Sequence, residues 1–208
     1  MLILAKAAMS MMLGFSMAIL VGLLLIPVLK KFKLRQTVSN TIGERHQVKN
    51  GTPTLGGLIF IIPTVLTLLV LKLKGSIDIS YNLLIILFVF VAYGVLGFVD
   101  DYMKIKFHNN KGLSILFKLL CQVVIALVFF YIYISNGGSP TLEISSLNLY
   151  IDLKWAYGLF ILFLLVGTSN AVNITDGLDG LLSSITVLTC TFFTVVAIGM
   201  NWCPITRR

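Results

Sequence analysis

Six apolar stretches recur along the chain with shorter polar segments between them, at residues 7–29, 55–71, 83–99, 119–134, 155–172 and 181–202. Each approaches the roughly 20 residues an α-helix needs to cross a bilayer. Lipid offers no water to a peptide group, so a spanning segment must satisfy its backbone internally, as a helix does and an open sheet does not. The pattern predicts an all-α integral membrane protein of about six transmembrane helices. Pro63 and the pair Gly94 and Gly97 fall inside spans and are tolerated there. The first stretch follows Lys6 but runs for 23 residues with no small-residue cleavage site after it. It therefore reads as a retained helix and not as a secretory signal. Residues 135–154, between spans four and five, differ in kind: N-G-G-S-P leads into a stretch of rough two-residue alternation, which predicts a short β-hairpin. No repeat or linker divides the chain. Residues 1–208 read as a single polytopic domain, with 201–208, N-W-C-P-I-T-R-R, as an aberrant tail.

Composition strengthens this reading. The chain is 58% hydrophobic and 12% charged, with a mean hydropathy of +0.99, whereas soluble domains carry about 25% charged residues. Basic residues near span ends stay in the cytoplasm. Lys30, Lys31, Lys33, Arg35, Arg45 and Lys49 follow span one, and Lys104, Lys106, Lys111 and Lys118 follow span three. The opposite loops hold only Lys72, Lys74 and Lys154. The N-terminus is thus expected outside, with Arg207 and Arg208 running against the rule. A net charge of +8 without any aromatic-basic motif speaks for anionic lipid and phosphate as partners, and against nucleic acid. Cys121, Cys190 and Cys203 lack metal or disulfide spacing and read as packing residues.

Three polar strings fall on the predicted cytoplasmic side. In K-N-G-T-P-T-L-G-G, residues 49–57, Thr52 suits an N-cap and Pro53 a first helical position. The free N–H groups of such a helix start favour phosphate, with Lys49 as an added charge, although T-P is also common helix punctuation. The second string places Asp100 and Asp101 side by side at the end of span three. They repel each other. Lys104, four and three residues on, can compensate them, and so can Mg²⁺ with a phosphate; two solvated carboxylates ending a helix are the plain alternative. The third string, S-N-A-V-N-I-T-D-G-L-D-G, residues 169–180, puts Asn170, Asn173 and Asp176 on one face if helical, with Asp179 one step beyond. Such density of amides and carboxylates at a membrane boundary points to a cavity, against the alternative of an ordinary turn. His46 and His108 read as solvated loop histidines.

Together and in this order, these strings resemble the polyprenyl-phosphate N-acetylhexosamine-1-phosphate transferases, and most of all the branch that handles a MurNAc-pentapeptide. The resemblance covers residues 1 to about 200. It implies an enzyme of the bacterial inner membrane, with its site loops in the cytoplasm. That enzyme would move phospho-MurNAc-pentapeptide from UDP onto undecaprenyl phosphate, giving lipid I and UMP with Mg²⁺. By the same resemblance Asp100 activates the lipid phosphate, as a base or as a covalent nucleophile. Asp101, the second catalytic carboxylate, would help hold Mg²⁺ or the diphosphate region, Asp176 would also hold Mg²⁺, and Asn170, Asn173, Asp176 and Asp179 would line the nucleotide and metal side. Lys49 and Thr52 would contact the nucleotide substrate, with Lys104, Lys111 and Lys118 near phosphate. A homodimer is a further implication. The alternatives are a UDP-GlcNAc-dependent transferase on the same scaffold, an ion or proton transporter, and a non-catalytic fragment that packs against a partner.

The family has about ten spans, with another metal-binding aspartate and a histidine-rich loop beyond the sixth, so these residues are expected to be the first part of that fold. The purified 208-residue chain is accordingly expected to release no UMP when given both substrates and Mg²⁺; measurable release would refute this.

Overall fold

The computed structural model describes residues 2–31, 54–107, 112–144, 149–176 and 180–202. Among them are six helices and one two-stranded sheet, in the order α1 (Leu2–Lys31), α2 (Leu58–Leu73), α3 (Tyr81–Lys106), α4 (Ile115–Ser135), β1 (Thr141–Ile144), β2 (Leu149–Asp152), α5 (Ala156–Thr175) and α6 (Leu181–Trp202). Five of the helices are long and apolar enough to cross a membrane, and α2, with 16 residues, is the short one. The expected hairpin is present. Its register pairs Leu142 with Ile151 and Ile144 with Leu149, so these four apolar residues share one face of the ribbon.

Two helix boundaries differ from the sequence pattern, both next to the acidic pair. α2 starts at Leu58 and not at Pro53, with Gly57 as its N-cap. The chain before it is bent at Leu55, which sits at φ +67° and donates its N–H to Asp101 Oδ2 at 3.2 Å. A left-handed leucine costs roughly 1–2 kcal/mol, and a carboxylate acceptor offsets that. Thr52, the expected cap, lies outside the described residues. α3 in turn continues to Lys106, beyond the expected end near Val99, and is entered through Ser80, whose Oγ accepts the Leu83 N–H. The acidic pair is therefore inside the helix. Its last turn carries Lys104 and Lys106, which suit the negative end of the helix dipole.

Packing brings α1 against α2 and α4 against both α3 and α5, while α6 is exposed along nearly its whole length. Gly94 of α3 faces α2 so closely that an added Cβ would lie 2.6 Å from Ile61 Cδ1. α4 meets α5 through a polar clamp. Gln122, fully buried, donates from Nε2 to Ser169 Oγ at 3.2 Å and accepts from Asn170 Nδ2 at 2.8 Å. Asn170 also donates to the Val166 carbonyl. Cys121 and Cys190 are free thiols, and Cys203 lies outside the described residues.

Interhelical hydrogen bonds in membranes average about 0.6 kcal/mol and reach about 1.7. A double-mutant cycle on Gln122→Leu and Asn170→Leu, followed by unfolding in detergent, is expected to give a coupling within that range. A coupling of zero would remove the clamp from the account of α4–α5 packing.

Candidate active site

The three polar strings converge on one cavity of about 550 Å³ between α2, α3, α4 and α5. The first contributes Leu55 and Gly57, the second Asp100, Asp101 and Lys104, and the third Ser169, Asn173 and Asp176; Lys118 of α4 joins them. The remainder of the lining is apolar and aromatic, including Phe60, Phe90, Phe98 and Leu164. One end of the cavity is thus ionic and the other suits hydrocarbon. Apolar surface beside charge lowers the local dielectric and strengthens electrostatic contacts there.

Asp100 is the most enclosed charged group, 6% exposed. Its Oδ2 pairs with Lys104 Nζ at 2.7 Å and faces Lys118 Nζ at 3.7 Å, and its Oδ1 accepts the Leu113 N–H at 3.0 Å. Lys104 also reaches Asp101 Oδ1 at 3.1 Å, so the compensation expected from the i, i+3 and i, i+4 spacing is realised. Two lysines balance two carboxylates. A buried carboxylate without such partners would be strongly penalised. Asp176, the C-cap of α5, donates its backbone N–H to the Val172 carbonyl; its carboxylate lines the cavity with no hydrogen bond or ion pair among the described residues.

Not every expected residue reaches the cavity. A helix turns about 100° per residue, so steps of three shift the side chain by about 60° each time. Asn173 and Asp176 face the cavity, whereas Asn170 faces α4 and spends its amide on Gln122 and Val166. Lys49, Thr52, Lys111 and Asp179, with His46 and His108, lie outside the described residues. Two residues were missed by the sequence reading. Gln122 is a lone polar residue in an apolar run, a signal that was legible. Tyr93, whose hydroxyl is buried beside the cavity without a partner among the described residues, resembles any other aromatic of a span.

For a cation, the donor set is sparse. No group of three His, Cys, Asp or Glu comes together among the described residues. Mg²⁺ suits this arrangement better than a closed metal cage would, because it is commonly held by one or two carboxylates, substrate phosphates and water. Asp176, whose carboxylate has no partner among the described residues, and Asp101, partly exposed, fit that role.

The sequence profile of glycosyl transferase family 4 matches residues 83–206. The chain is 40% identical over 188 residues, 90% of its length, to the phospho-N-acetylmuramoyl-pentapeptide-transferases of Bacillus licheniformis and Bacillus subtilis. It is 39% identical over the same length to that of Geobacillus thermodenitrificans. The matched segment is 58% of each of these relatives.

Removing Lys104 as Lys104→Met leaves Asp100 and Asp101 without their shared cation, and unpaired buried groups cost about 1–3 kcal/mol. Lys104→Met is expected to lower the unfolding temperature in detergent, and adding Asp101→Asn to recover part of the loss. No recovery in the double variant would show that Lys104 is not shared between the two carboxylates.

Proposed function

Because the chain belongs to glycosyl transferase family 4, here as a multi-pass bacterial membrane protein, we propose that it supplies the acceptor side of a phospho-N-acetylmuramoyl-pentapeptide transfer. The reaction moves the sugar phosphate from UDP-MurNAc-pentapeptide to undecaprenyl phosphate. An oxygen of the lipid phosphate bonds to the sugar-linked phosphorus, the P–O bond to UMP breaks, and lipid I and UMP leave. The observation that carries this reading is the two-ended cavity. Its ionic mouth, at Asp100, Asp101, Lys104, Lys118, Asn173 and Asp176, continues into an apolar flank, as a substrate with a phosphate head and a hydrocarbon tail requires.

Phosphoryl transfer asks mostly for alignment and charge neutralisation. Asp100 activates the acceptor phosphate. Lys104 and Lys118, already within 4 Å of its Oδ2, turn to the phosphate oxygens as these arrive. Asp101 and Asp176 would hold Mg²⁺, which would supply neutralisation of the diphosphate charge. Asn173 bonds the nucleotide side; Lys49, Thr52, Lys111 and Asp179 belong to the same reading through the resemblance alone. The cavity mouth faces the cytoplasm and the N-terminus lies outside, in line with the Lys and Arg distribution.

The chain spans 58% of the length of its relatives, so the test is a chimera in which it replaces the matching segment of the Bacillus subtilis enzyme. We expect lipid I from UDP-MurNAc-pentapeptide and none from UDP-GlcNAc, with Asp100→Asn lowering turnover by about 100-fold or more, the scale on which misplaced or missing catalytic groups act. Near-normal turnover of Asp100→Asn would take Asp100 out of the chemistry.

A further inference from the structure

The segment leading into α4 has a feature that helix formation alone does not require. Gly112 sits at φ +58°, and a Cβ added there would lie 2.6 Å from Asp100 Oδ1 and 2.9 Å from Lys104 Cε. The next residue donates its backbone N–H to that same oxygen at 3.0 Å. α4 is already capped without this contact, since Ser114 Oγ accepts the Phe117 N–H. The turn is therefore shaped around the carboxylate as well as around the helix start.

The two oxygens of Asp100 are held by different kinds of donor. Oδ2 is met by Lys104 and Lys118, flexible side chains that an incoming phosphate can draw away. Oδ1 is met by a backbone N–H, which stays in place when the lysines turn. Gly112 covers the Oδ1 side, leaving approach to Oδ2. We propose that Gly112 and the Leu113 amide form a clasp that fixes the direction of the Asp100 carboxylate while its lysine partners exchange onto phosphate, which makes Gly112 a positioning residue for the transfer step. This rests on the reading of Asp100 as the activating group. Any L-residue at 112 would meet both a strained backbone and the carboxylate itself.

Kinetics in the chimera test it. Gly112→Ala is expected to lower kcat by about 10-fold or more, with KM for both substrates within about 3-fold, because a displaced group acts on the chemical step and not on ground-state binding. Leu113→Pro, which removes the N–H, is expected to behave alike, and Leu113→Ala, which keeps it, to retain kcat. In the 208-residue chain, the Leu113 amide is expected to exchange slowly with deuterium, and quickly in Asp100→Ala and Gly112→Ala. Full kcat in both Gly112→Ala and Leu113→Pro, or a Leu113 amide indifferent to Asp100→Ala, would overturn the clasp. If those variants keep kcat while Asp100→Asn is dead, only the clasp falls. An active Asp100→Asn removes the role of Asp100 itself.

Discussion

Two neighbouring carboxylates, carried on a helix that crosses the membrane, impose the main constraint on this structure. Each needs compensation, Asp100 because it is buried and Asp101 because it stands beside it, and a single lysine one turn away cannot serve four oxygen atoms. The fold meets the demand from three further places. Leu55, ahead of α2, gives a backbone N–H to Asp101; Leu113 gives one to Asp100; and Lys118 of α4 brings a second cation. Each contribution shapes its own segment, from the left-handed bend at Leu55 to the glycine turn at Gly112. The delayed start of α2 follows from the first of these.

α4 acts as the spacer between the two halves of the cavity. Lys118 and Gln122 are four residues apart and so lie on one face, a turn from each other. The first reaches Asp100 on α3, and the second holds Ser169 and Asn170 on α5. A rotation of α4 would disturb both contacts together. The distance between the acidic pair of α3 and the carboxylate of Asp176 is thus set by a helix that contributes only Lys118 to the cavity wall.

The reach of the apolar flank gives the ionic end its character. Phe60, Phe90, Phe98 and Leu164 line one side of the cavity with apolar surface, which solvates the lysines and carboxylates less well than water would. Gly94, against Ile61, lets α2 and α3 approach closely beside this flank. The cavity thus carries its charged groups and its apolar surface on different flanks.

Much of this was legible in the residues. Apolar run length set the number and rough extent of the spans because lipid admits only internally bonded backbone, and alternation in residues 135–154 gave the hairpin because successive side chains of a strand point to opposite faces. The spacing of Asp100, Asp101 and Lys104 gave their ion pairs, since helix period alone brings them together. Other features depended on tertiary contact. Nothing local says that Leu55 turns left-handed, that Gly112 lies on Asp100, that Asn170 faces Gln122 while Asn173 faces the cavity, or that Tyr93 leaves its hydroxyl unpaired beside that cavity. Short-range periodicity fixes which residues share a helix face; which neighbour that face meets depends on how distant helices pack, and buried charge, which must find partners wherever the chain can supply them, decides the ends of those helices.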